Sequence, residues 1–235
     1  MKSAAIFDAM NEVKKMLQSI ELLKKENTTR PRSLTYSKFS EEFIKMSQDG
    51  EYEKIYQSAM KNADYDFVLK DDSFFQLSCD TISGSDDTIY IRYAYYPNPR
   101  YYCSYEQFLK THGLSYEECD DSFLIYYEQE IAEARLKSAV TPIRYEYDLH
   151  KYVPEIHPIS HLHIGHEEDM RIALSKIMIP QKFVSFVIRA FYYKKWKNAM
   201  QANDLYKEIC RNAKHKCSLV PKDFFHNEKM FLYLE

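Results

Sequence analysis

Glycine is scarce in this chain, which contains only four glycines among its 235 residues. The loops that cradle phosphate groups need several glycines close together, and neither the G-x-G-x-x-G pattern nor a Walker-type loop occurs. The chain therefore lacks both of these nucleotide-binding loops. Any nucleotide must be bound by other means.

Paired cysteines and long apolar runs are also missing. None of the five cysteines belongs to a C-x-x-C pair, and an odd number without a secretion signal argues against a disulfide framework. The longest apolar run, residues 183–193, is interrupted by Arg189 and is too short to cross a bilayer. Because Asp8 and Glu12 interrupt the apolar residues near the start, we expect a soluble, cytoplasmic protein that makes no membrane contact.

An excess of charge of one sign is the third absence. The 32 lysines and arginines nearly balance the 35 aspartates and glutamates, which gives a net charge of −3. A chain with this balance has no global field that attracts nucleic acid, so any contact with RNA must be local. Apolar residues make up 45% of the chain, which is enough for a proper core.

The spacing of the apolar residues predicts helices in the first part of the chain. Apolar residues recur at three- and four-residue steps from Ile6 to Ile20, which is typical of an amphipathic helix, here expected to end at Lys25. A second helix is expected from Lys38 to Met60. The apolar stripe of the first helix is also a candidate docking surface for a protein partner.

The pattern changes to alternation after residue 63, which predicts an antiparallel β-meander. The most apolar helix, at residues 179–200, is expected to pack on the sheet. The other expected elements are strands at 64–70, 73–80, 88–97, 143–149 and 159–165, helices at 105–112 and 114–138, and a strand or helix turn at 229–235. Ser115 and Glu118 have the spacing of a capping box at the start of the 114–138 helix. We therefore predict an α+β fold, an antiparallel β-sheet packed with helices, in which an N-terminal helical segment (1–62) precedes an α+β domain (63–235).

Four of the eight histidines fall within residues 157–166, HPISHLHIGH. Side chains alternate between the two faces of a strand, so His161 and His163 share one face. In the preceding strand, Arg144, Glu146 and Asp148 share one face by the same rule. If the two strands pair, one face carries an arginine, two carboxylates and two imidazoles.

A metal site is one interpretation of this histidine stretch, because imidazole and carboxylate bind zinc or iron. His157, His161 and His163 together with Asp148 offer enough ligands. The specific motifs fail, however: a metallo-β-lactamase-type site needs H-x-H-x-D-H, and the chain has Gly165 at the aspartate position. Histidine-triad hydrolases need a third alternating histidine at that same position. Zinc or iron is therefore not favoured, and we expect no cofactor.

Metal-free cleavage of RNA is the second interpretation. This reaction needs a base for the 2′-hydroxyl, an acid for the leaving 5′-oxygen and a cation for the phosphorane charge. His161 and His163 are candidates for the base and the acid, and Arg144 or Arg92 for the cation. The plain structural alternative is a half-exposed strand edge with cross-strand ion pairs.

Several segments resemble a family of bacterial proteins called domain of unknown function 2290. The resemblance runs in order from about Asp64 to Trp196, and R-Y-x-Y-D followed by H-P-x-S-H-x-H-x-G is fairly specific. The chain departs from the commoner form in having Glu146 between the two tyrosines. The order R-Y-D followed by H-x-H is also similar to small families of bacterial toxin and antitoxin systems whose members are presumed to act on RNA. That similarity implies roles for Arg144, Asp148, His161 and His163.

These observations lead to one preferred hypothesis, a defence or toxin-type protein that is a metal-independent endoribonuclease. In it, His161 and His163 share the acid and base roles, Arg144 stabilises the phosphate and Asp148 orients an imidazole. Arg92 and His157 are the expected substrate-binding residues, and RNA is the expected partner. The alternative hypothesis is a non-catalytic interaction module of a larger assembly that uses the Ile6 to Ile20 stripe.

Overall fold

A computed structural model describes residues 3–28, 39–81, 88–134, 136–137, 140–166 and 170–233. In these residues, seven strands form one antiparallel sheet whose spatial order follows the chain. The strands are β1 Leu23–Glu26, β2 Phe67–Leu69, β3 Phe74–Thr81, β4 Thr88–Tyr96, β5 Ile143–Asp148, β6 Ser160–Ile164 and β7 Ile172–Ala173. The predicted meander is confirmed, as is the pairing of β5 with β6.

Helices pack on both faces of the sheet, so the predicted α+β fold is confirmed. The helices are α1 Ser3–Ser19, α2 Glu41–Asp49, α3 Tyr52–Lys61, α4 Tyr105–Thr111, α5 Tyr116–Cys119, α6 Leu124–Ala132, α7 Pro180–Phe191, α8 Tyr193–Ala202, α9 Asp204–Lys216 and α10 Lys222–Phe231. Within the described ranges, no helix combines the length and the apolar character needed to span a membrane.

The apolar face of the sheet carries the main core. Tyr93, Tyr145 and Leu162 lie side by side on β4, β5 and β6, and all three are buried. Helix α7 covers this face with Phe183, whose ring centroid lies 5.7 Å from that of Tyr93. The expectation that the most apolar helix packs on the sheet is therefore correct, although this helix ends at Phe191 and α8 begins two residues later.

Helix α1 belongs to the same core. Val13 and Leu17 are 0% exposed and pack with residues of the sheet and of α7 and α9. Residues from both sides of position 62 therefore share one core, and the proposed boundary there stays a prediction. The expected helix end at Lys25 was wrong: α1 ends at Ser19, and Glu21 adopts a φ of 56°. This left-handed turn allows residues 23–26 to pair with β2 as an edge strand.

The expected helix from Lys38 to Met60 is two helices, α2 and α3, with residue 38 outside the described ranges. Ser40 caps α2 by accepting a hydrogen bond from the backbone N–H of Phe43. Gly50 ends α2, and a Cβ atom at this position would collide with the carbonyl group of Met46. Both helices pack on the second face of the sheet and cover only part of it.

The expected long helix at 114–138 was also wrong. It is divided into α5 and α6 because Asp120, between them, adopts a φ of 47° that a right-handed helix does not accommodate. Ser115 makes no side-chain cap, and the capping box in this region is formed by Ser104 and Gln107. At the other end of the chain, residues 229–231 complete α10, so the helical alternative for that segment was correct.

Candidate functional site

The register of three central strands builds the polar face. Glu146 on β5 lies directly opposite Arg92 on β4 and opposite His161 on β6. Arg144 lies opposite His163 in the neighbouring row. The alternation along each strand therefore places Arg144 and Glu146, and His161 and His163, on the same face of the sheet, as predicted. The antiparallel pairing brings them together.

A polar cavity of about 200 Å³ lies between this face and helix α2. This volume is below the range of 300–1,000 Å³ typical of sites for drug-sized ligands, so it suits a small group such as a phosphate. The cavity is lined by Ile44, Ser47, Gln48, Tyr90, Arg92, Arg144, Glu146, Lys151, His157, His163 and Arg171.

Positive charge dominates the cavity. Four lining side chains are cations and one is a carboxylate, whereas the whole chain has a net charge of −3. Three lining nitrogen atoms, Arg171 Nε, His157 Nδ1 and His163 Nδ1, are buried and have no hydrogen-bond partner among the described residues. A buried polar atom without a partner costs about 1–3 kcal/mol, so atoms of this kind often mark the position of a missing ligand or water.

Glu146 is the carboxylate at the centre of the site. Its Oε1 lies 2.8 Å from Arg144 Nε and 3.9 Å from Arg92 Nε, and its Oε2 lies 4.0 Å from His163 Nε2. Burial alone would raise the pKa of Glu146, but the cations of Arg144 and Arg92 outweigh it and hold the pKa below its usual value. Glu146 is therefore an anion at neutral pH.

His161 and His163 form a directly hydrogen-bonded pair. Their Nε2 atoms are 3.0 Å apart, and His161 Nδ1 lies 2.7 Å from the carbonyl oxygen of Pro158. A carbonyl oxygen only accepts hydrogen bonds, so His161 Nδ1 carries a proton and its Nε2 keeps a lone pair. Burial lowers the pKa of His161 to about 4 and, helped by the nearby Arg144, the pKa of His163 to about 3. Both imidazoles are neutral at pH 7.

Asp148 lies on the same face, but its hydrogen bonds differ from the role predicted from the sequence, which was to orient an imidazole. Its Oδ1 accepts hydrogen bonds from the backbone N–H groups of His150 and Lys151, at 2.8 and 3.3 Å. These bonds shape the turn that follows β5. The carboxylate that approaches the imidazole pair is Glu146, which the sequence placed on this face without assigning it a role in the site.

The other predicted site residues fall at different depths. Arg92 and His157, which the sequence predicted to bind substrate, both line the cavity, and His157 packs edge-on against His161 with ring centroids 4.8 Å apart. His161 is 0% exposed and lies behind the cavity wall. Arg171 was missed because no local pattern links it to β6, and the wall formed by α2 was missed for the same reason.

Gly165 ends β6 with a φ of 95°, a conformation that favours glycine. Its backbone N–H donates a hydrogen bond to the carbonyl of Pro142. The glycine that replaces the aspartate or histidine of the two metal motifs is therefore explained by the backbone turn at this position.

The fold and site thus define an antiparallel α+β protein with a basic, histidine-containing cavity on one sheet face. The chain belongs to the family of uncharacterized conserved proteins called DUF2290, whose pattern matches residues 15–235. A search of curated proteins and a search of solved structures each found no match.

Proposed function

We propose that this protein is a ribonuclease of the toxin or defence type, which binds a phosphodiester group of single-stranded RNA in the basic cavity and cleaves it. The observation that carries the proposal is the cavity in which four cationic side chains meet one carboxylate, among them Arg171, whose buried Nε donor has no partner in the described part of the chain. A phosphate oxygen accepts hydrogen bonds from several donors at once and neutralises the surrounding charge.

Arginine geometry supports phosphate as the ligand. Arg171 has an Nε without a partner among the described residues, and its planar guanidinium suits two-point contact with a phosphate. Arg92 and Arg144 approach the cavity from neighbouring positions of β4 and β5. Lys151 adds a fourth cation from the turn after β5.

The roles of the histidines change from those the sequence suggested. His161 is completely buried, and neither His161 nor His163 is an imidazolium that gives up a proton at neutral pH. His157 lines the cavity and has a buried Nδ1 without a partner in the described part of the chain. We therefore assign the proton-accepting role to His157. The hydrogen-bonded pair, His161 and His163, stays neutral and offers nitrogen lone pairs instead of protons.

In the proposed reaction, the ribose 2′-oxygen forms a bond to phosphorus, and the bond from phosphorus to the 5′-oxygen breaks. His157 accepts the proton of the 2′-hydroxyl, and a water molecule gives a proton to the departing 5′-oxygen. The hydroxide that remains takes the proton back from His157. Arg144 and Arg171 stabilise the charge that grows on the phosphate oxygens. The products are a 2′,3′-cyclic phosphate and a 5′-hydroxyl.

The test is cleavage of a single-stranded RNA oligonucleotide with analysis of the new ends. We expect the wild-type protein to produce cyclic phosphate ends, and His157→Asn to cleave at least about a hundredfold more slowly because it removes the proton acceptor. The control is His215→Asn, which changes an exposed histidine on α9. Expression of the wild type, but not of His157→Asn, should slow bacterial growth.

Two results contradict this proposal. The first is intact RNA after incubation with folded wild-type protein. The second is equal cleavage by the wild type and by His157→Asn, since the proton acceptor would then lie elsewhere.

A non-catalytic interaction module is the second candidate, and one observation favours it. Helices α5 and α6 expose apolar side chains, with Ile125 77% exposed and Tyr126 63% exposed. Exposed apolar groups of this size commonly mark contact surfaces when they cluster. The Ile6 to Ile20 stripe does not supply this surface, because its residues Met10, Val13, Leu17 and Ile20 are buried within the chain.

A further inference from the structure

The imidazole pair and Glu146 have the spacing of a set of metal ligands. One possible ligand atom from each of Glu146, His161 and His163 lies within 4.8 Å of the other two. A tetrahedral ion with bonds of about 2.0–2.2 Å holds its ligand atoms roughly 3.3 Å apart, and the two Nε2 atoms are 3.0 Å apart. We propose that Glu146, His161 and His163 bind one divalent transition-metal ion.

The hydrogen bonds around the pair prepare it for this role. His161 donates its Nδ1 proton to the carbonyl of Pro158, which fixes the ring and directs the Nε2 lone pair toward His163. Metal-binding histidines commonly use their second nitrogen in this way. His163 binds a metal once its proton moves from Nε2 to Nδ1, an atom with no protein partner in the described ranges to oppose this change.

Glu146 has one oxygen available for a metal. Its Oε1 is held by Arg144, whereas its Oε2 lies on the side of the imidazole pair, 4.0 Å from His163 Nε2. The ligand atom of Glu146 lies within 4.8 Å of those of both imidazoles, so a movement of roughly 1–1.5 Å toward the pair, on the order of a side-chain torsion adjustment, brings it to ligand distance. Two imidazoles and one carboxylate form a set that zinc and iron(II) both accept.

The surrounding charge identifies the remaining ligand. Glu146 and His163 line the basic cavity, so the open coordination position faces that cavity. A dication beside four cationic side chains needs an anion to offset the repulsion, and a phosphate oxygen of the substrate supplies it. This last step rests on the proposed function; binding of the metal alone does not.

The experiment measures metal without RNA. Wild-type protein is stripped with a chelator, dialysed and titrated with zinc, and with cobalt(II) for its visible absorption. We expect one equivalent of zinc to bind, a cobalt spectrum typical of four ligands, and a rise in the melting temperature of the wild type as zinc binds. His163→Asn should weaken zinc binding at least about a hundredfold, because it removes one of three ligands.

The matched control is His215→Asn, which alters an exposed histidine on α9 outside the ligand set and the cavity and should bind zinc like the wild type. The metal site is wrong if stripped, folded wild-type protein binds no zinc and does not gain thermal stability, or if His163→Asn binds zinc as tightly as His215→Asn. RNA cleavage is measured separately. Zinc binding without cleavage rejects only the ribonuclease, and cleavage by zinc-free protein that binds no zinc rejects only the metal site.

Discussion

At the scale of single residues, Glu146 decides the character of the site. It is 7% exposed and stands between two arginines on one side and two neutral histidines on the other. Buried cations need a partner, since an uncompensated charge in a poorly solvated place is expensive. Glu146 therefore has two roles, the neutralisation of Arg92 and Arg144 and the supply of an oxygen beside the imidazole pair.

Replacement of this carboxylate should lower the stability of the protein. We expect Glu146→Gln to reduce the free energy of unfolding by about 3 kcal/mol, because Arg144 and Arg92 lose their anion while the side-chain volume stays the same. Urea denaturation measures this change. Glu117→Gln, at an exposed position on α5, should change the free energy by less than about 0.5 kcal/mol. Equal stability of Glu146→Gln and the wild type would show that the arginines do not depend on Glu146.

At the scale of elements, strand alternation was predictable and helix ends were not. The sequence placed Arg144, Glu146, His161 and His163 on one face because side chains alternate regularly along a strand, and the register confirms this. The ends of α1 and α5 depend on the left-handed conformations of Glu21 and Asp120, which non-glycine residues seldom adopt. No local sequence pattern predicted these two conformations.

Helix α1 shows how burial changes the interpretation of an apolar stripe. Leu17→Ala should lower the free energy of unfolding by about 2–5 kcal/mol, since Leu17 is 0% exposed in the main core. Gln18→Ala, at the exposed neighbouring position, should leave the stability nearly unchanged. Thermal or urea denaturation compares the two. A Leu17→Ala protein as stable as the wild type would instead support a stripe that is free for a partner.

At the scale of the whole molecule, a weakly acidic chain gathers positive charge in one place. Its net charge is −3, yet four cations meet around a cavity of about 200 Å³. These side chains come from β4, β5, the turn after β5 and the segment before β7, so only the folded sheet brings them together. The sequence predicted the strand residues, whereas Arg171 and the α2 wall depend on tertiary packing that a linear pattern does not contain.

The most direct test of the central claim, that this cavity binds a phosphate of RNA, is the salt dependence of RNA binding by Arg171→Ala. The comparison uses the wild type and Arg211→Ala, which changes an exposed arginine on α9. We expect Arg171→Ala to weaken binding by about ten- to a hundredfold. It should also reduce the slope of log K against log salt by about 0.7, the value for one lost contact to single-stranded nucleic acid. Equal affinity and equal slopes for Arg171→Ala and Arg211→Ala would contradict the claim.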